Sequence, residues 1–213
     1  MAAALLLLPF VLIACRGPAL TGYFSMDSYD QLKREYSKWH ESAIYPDMPD
    51  IGIDESTLEY KAFYTPQIFE AKSVAEVEIT SYSIEGCGEV DGFQLSCRIG
   101  SAESGRSVPP PDTCREEGES EEIRSYKGID VVFRSSEFYD ADNEPIEDRS
   151  QHRDYSDRYA FIVNGNLYSI WITVRKADAE SSEKRDMVRD KINDIMYSWV
   201  CGVIDEAQNN IQG

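Results

Sequence analysis

A chain of 213 residues with 39 acidic and 21 basic side chains carries a formal net charge of −18. Such a surface repels nucleic-acid phosphates, so no nucleic-acid partner is expected. The length is enough for one domain with a real core.

Residues 2–14, AAALLLLPFVLIA, are wholly apolar. That run is shorter than the roughly 20 residues a membrane-crossing helix needs, and it matches the apolar core of a secretory signal. No Lys or Arg precedes it. The run ends at Leu12-Ile13-Ala14-Cys15, with Arg16 following. These four residues resemble the lipobox of bacterial lipoprotein precursors. The resemblance implies diacylglycerol on the Cys15 thiol, cleavage just before it, and acylation of the new amine. Export follows, with the domain outside the cytoplasm and the membrane a partner through the N-terminal lipid. Two or more acyl chains anchor stably where one does not. The alternative is an incidental cysteine in an ordinary signal. The resulting organisation is a signal peptide at 1–14, a lipid-anchored tether at 15–24, a single domain at 25–205 and a flexible tail at 206–213.

The tether leads into SMDSYDQLKREYSKWHESA. Tyr29, Leu32, Tyr36, Trp39 and Ala43 recur at steps of three and four, which predicts an amphipathic helix capped by Ser25 or Asp27. Pro46 and Pro49 end it. STLEYKAFY and VAEVEITSYSI alternate as strands, and GFQLSCRIG follows a Val-Asp-Gly turn as their partner. Residues 101–122 hold three consecutive prolines and many acids, so a mobile loop is expected there. KGIDVVFRSSEF then reads as a strand with Ile129, Val131 and Phe133 on one side.

In YDADNEPIEDRSQHRDYSD, Asp140, Asp142 and Glu144 take the first three carboxylate positions of a calcium loop. Pro145 stands where the turn needs glycine, and Gln151 stands where a bidentate glutamate belongs, so no metal is expected. YAFIVNGNLYSIWITV is a hairpin about Asn164-Gly165. That turn sets Val163 against Asn166, Phe161 against Tyr168 and Tyr159 against Ile170. The opposite face carries Ile162, Leu167 and Trp171 as well as small residues, which predicts a hairpin inside its sheet or partly covered on both faces. ESSEKRDMVRDKINDIMYSWVCG predicts a helix with Val188, Ile192, Ile195 and Trp199 inward and Gly202 at its end. This hairpin-then-helix ending, over residues 159–200, is similar to that of PsbP/Mog1-type domains, which implies an α/β/α arrangement about an antiparallel sheet.

With Cys15 set aside, Cys87, Cys97, Cys114 and Cys201 form an even set, read as two disulfides in an exported chain. Three pairings exist; Cys87–Cys97 with Cys114–Cys201 is favoured. The expected fold is α+β: an antiparallel sheet with an N-terminal and a C-terminal amphipathic helix packed on it, stapled by those bridges.

No phosphate loop, nucleophile elbow or metal-ligand spacing is present. His40 is expected at the surface or boundary of the first helix, and His152 lies among charges; neither is assigned catalysis. No cofactor is expected. The function most consistent with these features is a non-enzymatic binding or protein-interaction module in the cell envelope, for a protein or small-molecule ligand. The alternatives are a carboxylate-based hydrolase and an accessory subunit of an envelope complex.

Overall fold

The computed structural model describes residues 22–65, 73–103, 119–139, 153–176 and 182–212. The signal segment, Cys15, Cys114, the Asp140–Gln151 carboxylates and His152 lie outside the described residues. Among the described residues eight strands form one antiparallel sheet: β1 (Gly22–Met26), β2 (Glu59–Tyr64), β3 (Ile79–Val90), β4 (Phe93–Glu103), β5 (Glu119–Tyr126), β6 (Ile129–Tyr139), β7 (Arg153–Val163) and β8 (Asn166–Lys176). Their spatial order is β1-β2-β3-β4-β8-β7-β6-β5. Each half of the chain is thus a four-strand meander, and the two meanders join where β4 pairs with β8. Among the described residues two α-helices complete the fold, α1 (Tyr29–Ser37) and α2 (Ser182–Gln212), with two short 3-10 turns at Glu55–Thr57 and Val74–Glu76.

Three two-residue turns, Asp91-Gly92, Lys127-Gly128 and Asn164-Gly165, connect successive strands, and all six residues have positive φ. That conformation matches the twist of flanking strands and favours Asn, Asp and Gly. The turn about Asn164-Gly165 sets Val163 against Asn166, Phe161 against Tyr168 and Tyr159 against Ile170. Tyr159, Phe161, Val163, Tyr168, Ile170, Ile172 and Val174 are all buried. The hairpin sits inside the sheet, between β4 and β6.

Both helices lie on this buried face. Tyr36 of α1 meets the Tyr82 ring edge-on at 4.9 Å, and Trp199 of α2 meets Phe161 at 6.2 Å. Tyr36 also donates to Asn166 Oδ1 at 3.3 Å, and Ser42 Oγ donates to the Asn164 carbonyl at 3.0 Å. The first half of the chain therefore grips the last hairpin turn.

The disulfide-stapled α+β expectation is corrected to a fold that is mainly one β-sheet with little helix. The N-terminal helix is shorter than expected. Ser28 caps it, accepting from Gln31 N at 3.2 Å, while Asp27 N donates to Gln31 Oε1 at 2.7 Å. It ends at Ser37 because Trp39 N and His40 N both donate to the Tyr36 carbonyl, turning the chain away. Trp39 is left exposed, and His40 is buried instead of lying at the surface. Strand β5 begins within the segment expected to be loop, and β1 takes in Gly22, Tyr23 and Phe24 at the end of the expected tether. Helix α2 continues past Gly202 through the expected tail, because Val203, Ile204 and Ala207 prolong the buried stripe of Val188, Ile192, Met196 and Val200. Ile195 and Trp199 are only partly buried beside it.

The bridges are also corrected: Cys87, Cys97 and Cys201 carry free thiols. Register gives the reason for the first pair. Cys87 pairs with Ser96, and Cys97 pairs with Gly86. A one-residue offset sends the two side chains to opposite faces of the sheet. Cys87 is accordingly exposed and Cys97 buried. Burial pushes the Cys97 thiol up to about 12. Native alkylation followed by peptide mapping is expected to modify Cys87 and to reach Cys97 only in denaturant. Recovery of a Cys87–Cys97 cross-linked peptide would contradict this register.

Candidate functional site

Strand alternation sends a second set of side chains to the face opposite the helices. On β4, Leu95, Cys97 and Ile99 point inward, so Arg98, Gly100 and Ala102 point outward. On β8, Ile170 and Ile172 point inward, and Ser169 and Trp171 point outward. On β7, Asp157 and Tyr159 point inward, and Arg158 points outward. No described helix or strand packs across this outer face. Three large apolar side chains stand exposed on it: Tyr23, Ile123 and Trp171.

Cross-strand pairing lines up one file of functional groups: Glu85, Arg98, Trp171, Arg158, Arg134 and Glu121. Next to it runs a file of small residues, Ser83, Gly100, Ser169 and Ala160. The size difference makes a hollow of about 330 Å3, with Gly100, Ala102, Ser81 and Ser169 beneath and Phe63, Trp171, Arg98 and Arg158 around it. That volume is at the lower end of small-molecule sites. A Cβ at Gly100 would come within 3.1 Å of the Tyr82 carbonyl oxygen.

The charges around the hollow are unequally satisfied. Lys61 bridges Glu59 at 2.7 Å and Glu85 at 2.6 Å, and Arg98 Nε meets the other oxygen of Glu85 at 3.2 Å. Arg134 meets Glu121 at 2.6 Å. Arg158 forms no ion pair among the described residues, and its Nε is buried without a hydrogen-bond partner. Burial, then the like charges of Arg134 and Arg98, lower its affinity for its proton. The Trp171 ring beside it is 41 % exposed, and its Nε1 donates to Ser156 Oγ, which fixes its orientation. The Arg98 guanidinium lies 5.7 Å from the Phe63 ring centre, a cation–π distance.

The helix-covered face holds a different kind of polar cluster. Asp157 is buried and accepts from Arg189 Nε at 3.0 Å, from a terminal Arg189 nitrogen at 2.9 Å and from Asn193 Nδ2 at 2.7 Å. Nearby, Arg124 lies against the rings of Phe133, Tyr197 and Tyr159 at 4.9, 5.3 and 5.8 Å. These contacts clamp α2 and β5 to the sheet.

Of the residues singled out from the sequence, Trp171 is at the hollow. Cys97 is in the core, Cys87 is on the outer face, and Cys201 is on α2. His40 is structural: its Nε2 lies 2.7 Å from the Ile79 carbonyl oxygen and its ring stacks on Tyr36. Among the described residues, the carboxyl groups with shifted proton affinity are Asp30, Glu35, Asp54, Glu85, Glu122 and Asp205, and each of these shifts is downward. None of these supplies the raised acid that a carboxylate hydrolase needs. Among the described residues, no three His, Cys, Asp or Glu side chains gather as metal ligands, and no helix is long and apolar enough to cross a membrane. No known protein family, curated protein or solved structure matches the chain.

Arg98, Arg158 and Gly100 went unnoticed in the sequence. The signal for Arg158 was there: the Asn164-Gly165 turn that pairs Val163 with Asn166 also pairs Arg158 with Trp171.

Proposed function

We propose that the chain is a lipid-anchored module of the cell envelope that binds a ligand on the outer face of its sheet. The observation that carries the binding reading is the hollow itself: small residues beneath, an oriented tryptophan at the rim, and beside it a guanidinium with no ion pair among the described residues. The anchoring reading rests on Leu12-Ile13-Ala14-Cys15 at the end of an apolar run. An open, rigid sheet face held by a tether suits recognition at a membrane surface.

The two halves are tested separately. Mass spectrometry of the mature N-terminus is expected to show an acylated Cys15, and Cys15→Ser to move the protein out of the membrane fraction or leave it unprocessed. An unmodified terminus downstream of Cys15, or retention of Met1, would overturn the anchor. For the binding face, the full chain is labelled with 5-fluorotryptophan and screened with a fragment library. The chain has three tryptophans, Trp39, Trp171 and Trp199, so the Trp171 signal is assigned with Trp171→Phe. Fragments are expected to move Trp171 and leave Trp39 and Trp199 in place. A screen in which no fragment moves Trp171 would overturn the reading.

A further inference from the structure

Resting on the outer face as a ligand surface, we infer that the hollow takes a monocarboxylate with a flat apolar body, its carboxylate on Arg158 and its body against Trp171.

The charge comes first. On one side of Trp171, Lys61 and Arg98 share Glu59 and Glu85, so two cations meet two anions. On the far side of Arg158, Arg134 meets Glu121. Arg158 stands between these paired charges with no anion of its own among the described residues, in a chain whose net charge is −18. A partly buried cation without a counter-charge is costly, and acidic side chains were plentiful. An external anion supplies the missing charge. Because one positive charge is unmatched, one negative charge completes the site. A phosphate dianion would need Arg98 or Arg134 to abandon its carboxylate. The guanidinium fork matches a carboxylate in two parallel hydrogen bonds, and Arg158 lines the hollow.

The shape comes next. Arg158 and Trp171 are direct cross-strand partners, so a group held on one lies within reach of the other. Beside them, Gly100 and Ala102 leave room that larger residues would close. The half-exposed indole lines that space, where a flat apolar body has an aromatic surface to pack on. The Ser169 hydroxyl adds one polar contact in the hollow. The space suits a single ring with its carboxylate, not an extended polymer.

The experiment uses the same 5-fluorotryptophan-labelled full chain with three probes: benzoate, benzyl alcohol and inorganic phosphate. Benzoate is expected to shift the Trp171 signal and to bind at least about tenfold tighter than benzyl alcohol, as a charge-assisted pair should. Phosphate is expected to leave Trp171 unmoved. Arg158→Gln is expected to make benzoate and benzyl alcohol bind equally, with the thermal midpoint unchanged or higher because an unmatched charge is gone. Gly100→Val is expected to weaken both organic probes.

Equal binding of benzoate and benzyl alcohol by the unaltered chain would overturn carboxylate recognition. So would phosphate binding as tight as benzoate, or an unchanged benzoate preference in Arg158→Gln. If library fragments move Trp171 and none of the three probes does, this inference fails while the outer face remains a ligand surface. If neither library nor probes move Trp171, both fail together.

Discussion

Replacing Asp157 with alanine is expected to destabilise the folded chain by about 3–5 kcal/mol, the cost of breaking a buried ion pair on one side. Asp157 is 1 % exposed and sits on an inward position of β7, between Tyr155 and Tyr159. Three hydrogen bonds from Arg189 and Asn193 compensate its charge. Both donors belong to α2, so the carboxylate is the polar point at which the long helix is registered on the sheet. Without it the Arg189 guanidinium loses its bidentate partner in a partly buried place. Replacing both charges, as Asp157→Leu with Arg189→Met, is expected to recover much of the loss, since well-packed apolar pairs often equal buried ion pairs. Urea unfolding of the two single variants and the double variant measures this. A single-variant loss below about 1 kcal/mol would mean the pair behaves like one at the surface.

Phe161→Ala is expected to cost about 3–5 kcal/mol by leaving a cavity in a core that relaxes only in part. Phe161 is fully buried in the interior strand β7. It stacks on Tyr168 of β8 with ring centres 5.8 Å apart and receives the Trp199 ring of α2 at 6.2 Å. It thus touches both layers. Phe161→Leu keeps most of the volume and is expected to lose much less. Trp199 fluorescence and the urea midpoint follow both variants. Trp199 is held independently by a hydrogen bond from Nε1 to the Asp47 carbonyl at 3.0 Å, so its emission reports local packing as well as unfolding.

What could be read from the sequence was decided by local geometry. The Asn164-Gly165 pair specifies a two-residue turn, and a two-residue turn leaves one register. Every partner along β7 and β8 follows, including Arg158 opposite Trp171. The same arithmetic applied to Asp91-Gly92 pairs Cys87 with Ser96 and excludes the Cys87–Cys97 bridge. Compartment-based cysteine counting pointed the other way, and geometry prevailed. Strand β5 was hidden because Glu119, Glu121, Glu122 and Arg124 give it the composition of a loop; it is an edge strand, for which charge is favourable. Gly202 resembles a helix stop in the sequence, yet its position faces open space while Val203 and Ile204 keep the buried stripe going, so α2 runs on. The hollow was the least legible feature. It depends on β4 lying beside β8, a pairing across more than 60 residues that no local signal announces.

That seam has a consequence for how the chain reaches its native state. Three of the pairings inside the meanders close across two-residue turns, β3 with β4 in the first and β5 with β6 and β7 with β8 in the second. Such contacts form early because little chain entropy is lost in closing them. The β4–β8 ladder, together with the grip of Tyr36 and Ser42 on the last turn, brings together parts of the chain that no short turn connects. The two meanders can gather their own strands independently, but neither alone holds both sides of the Arg98–Trp171–Arg158 file. The hollow therefore comes into being only when the halves zip together, and its appearance marks the completion of folding.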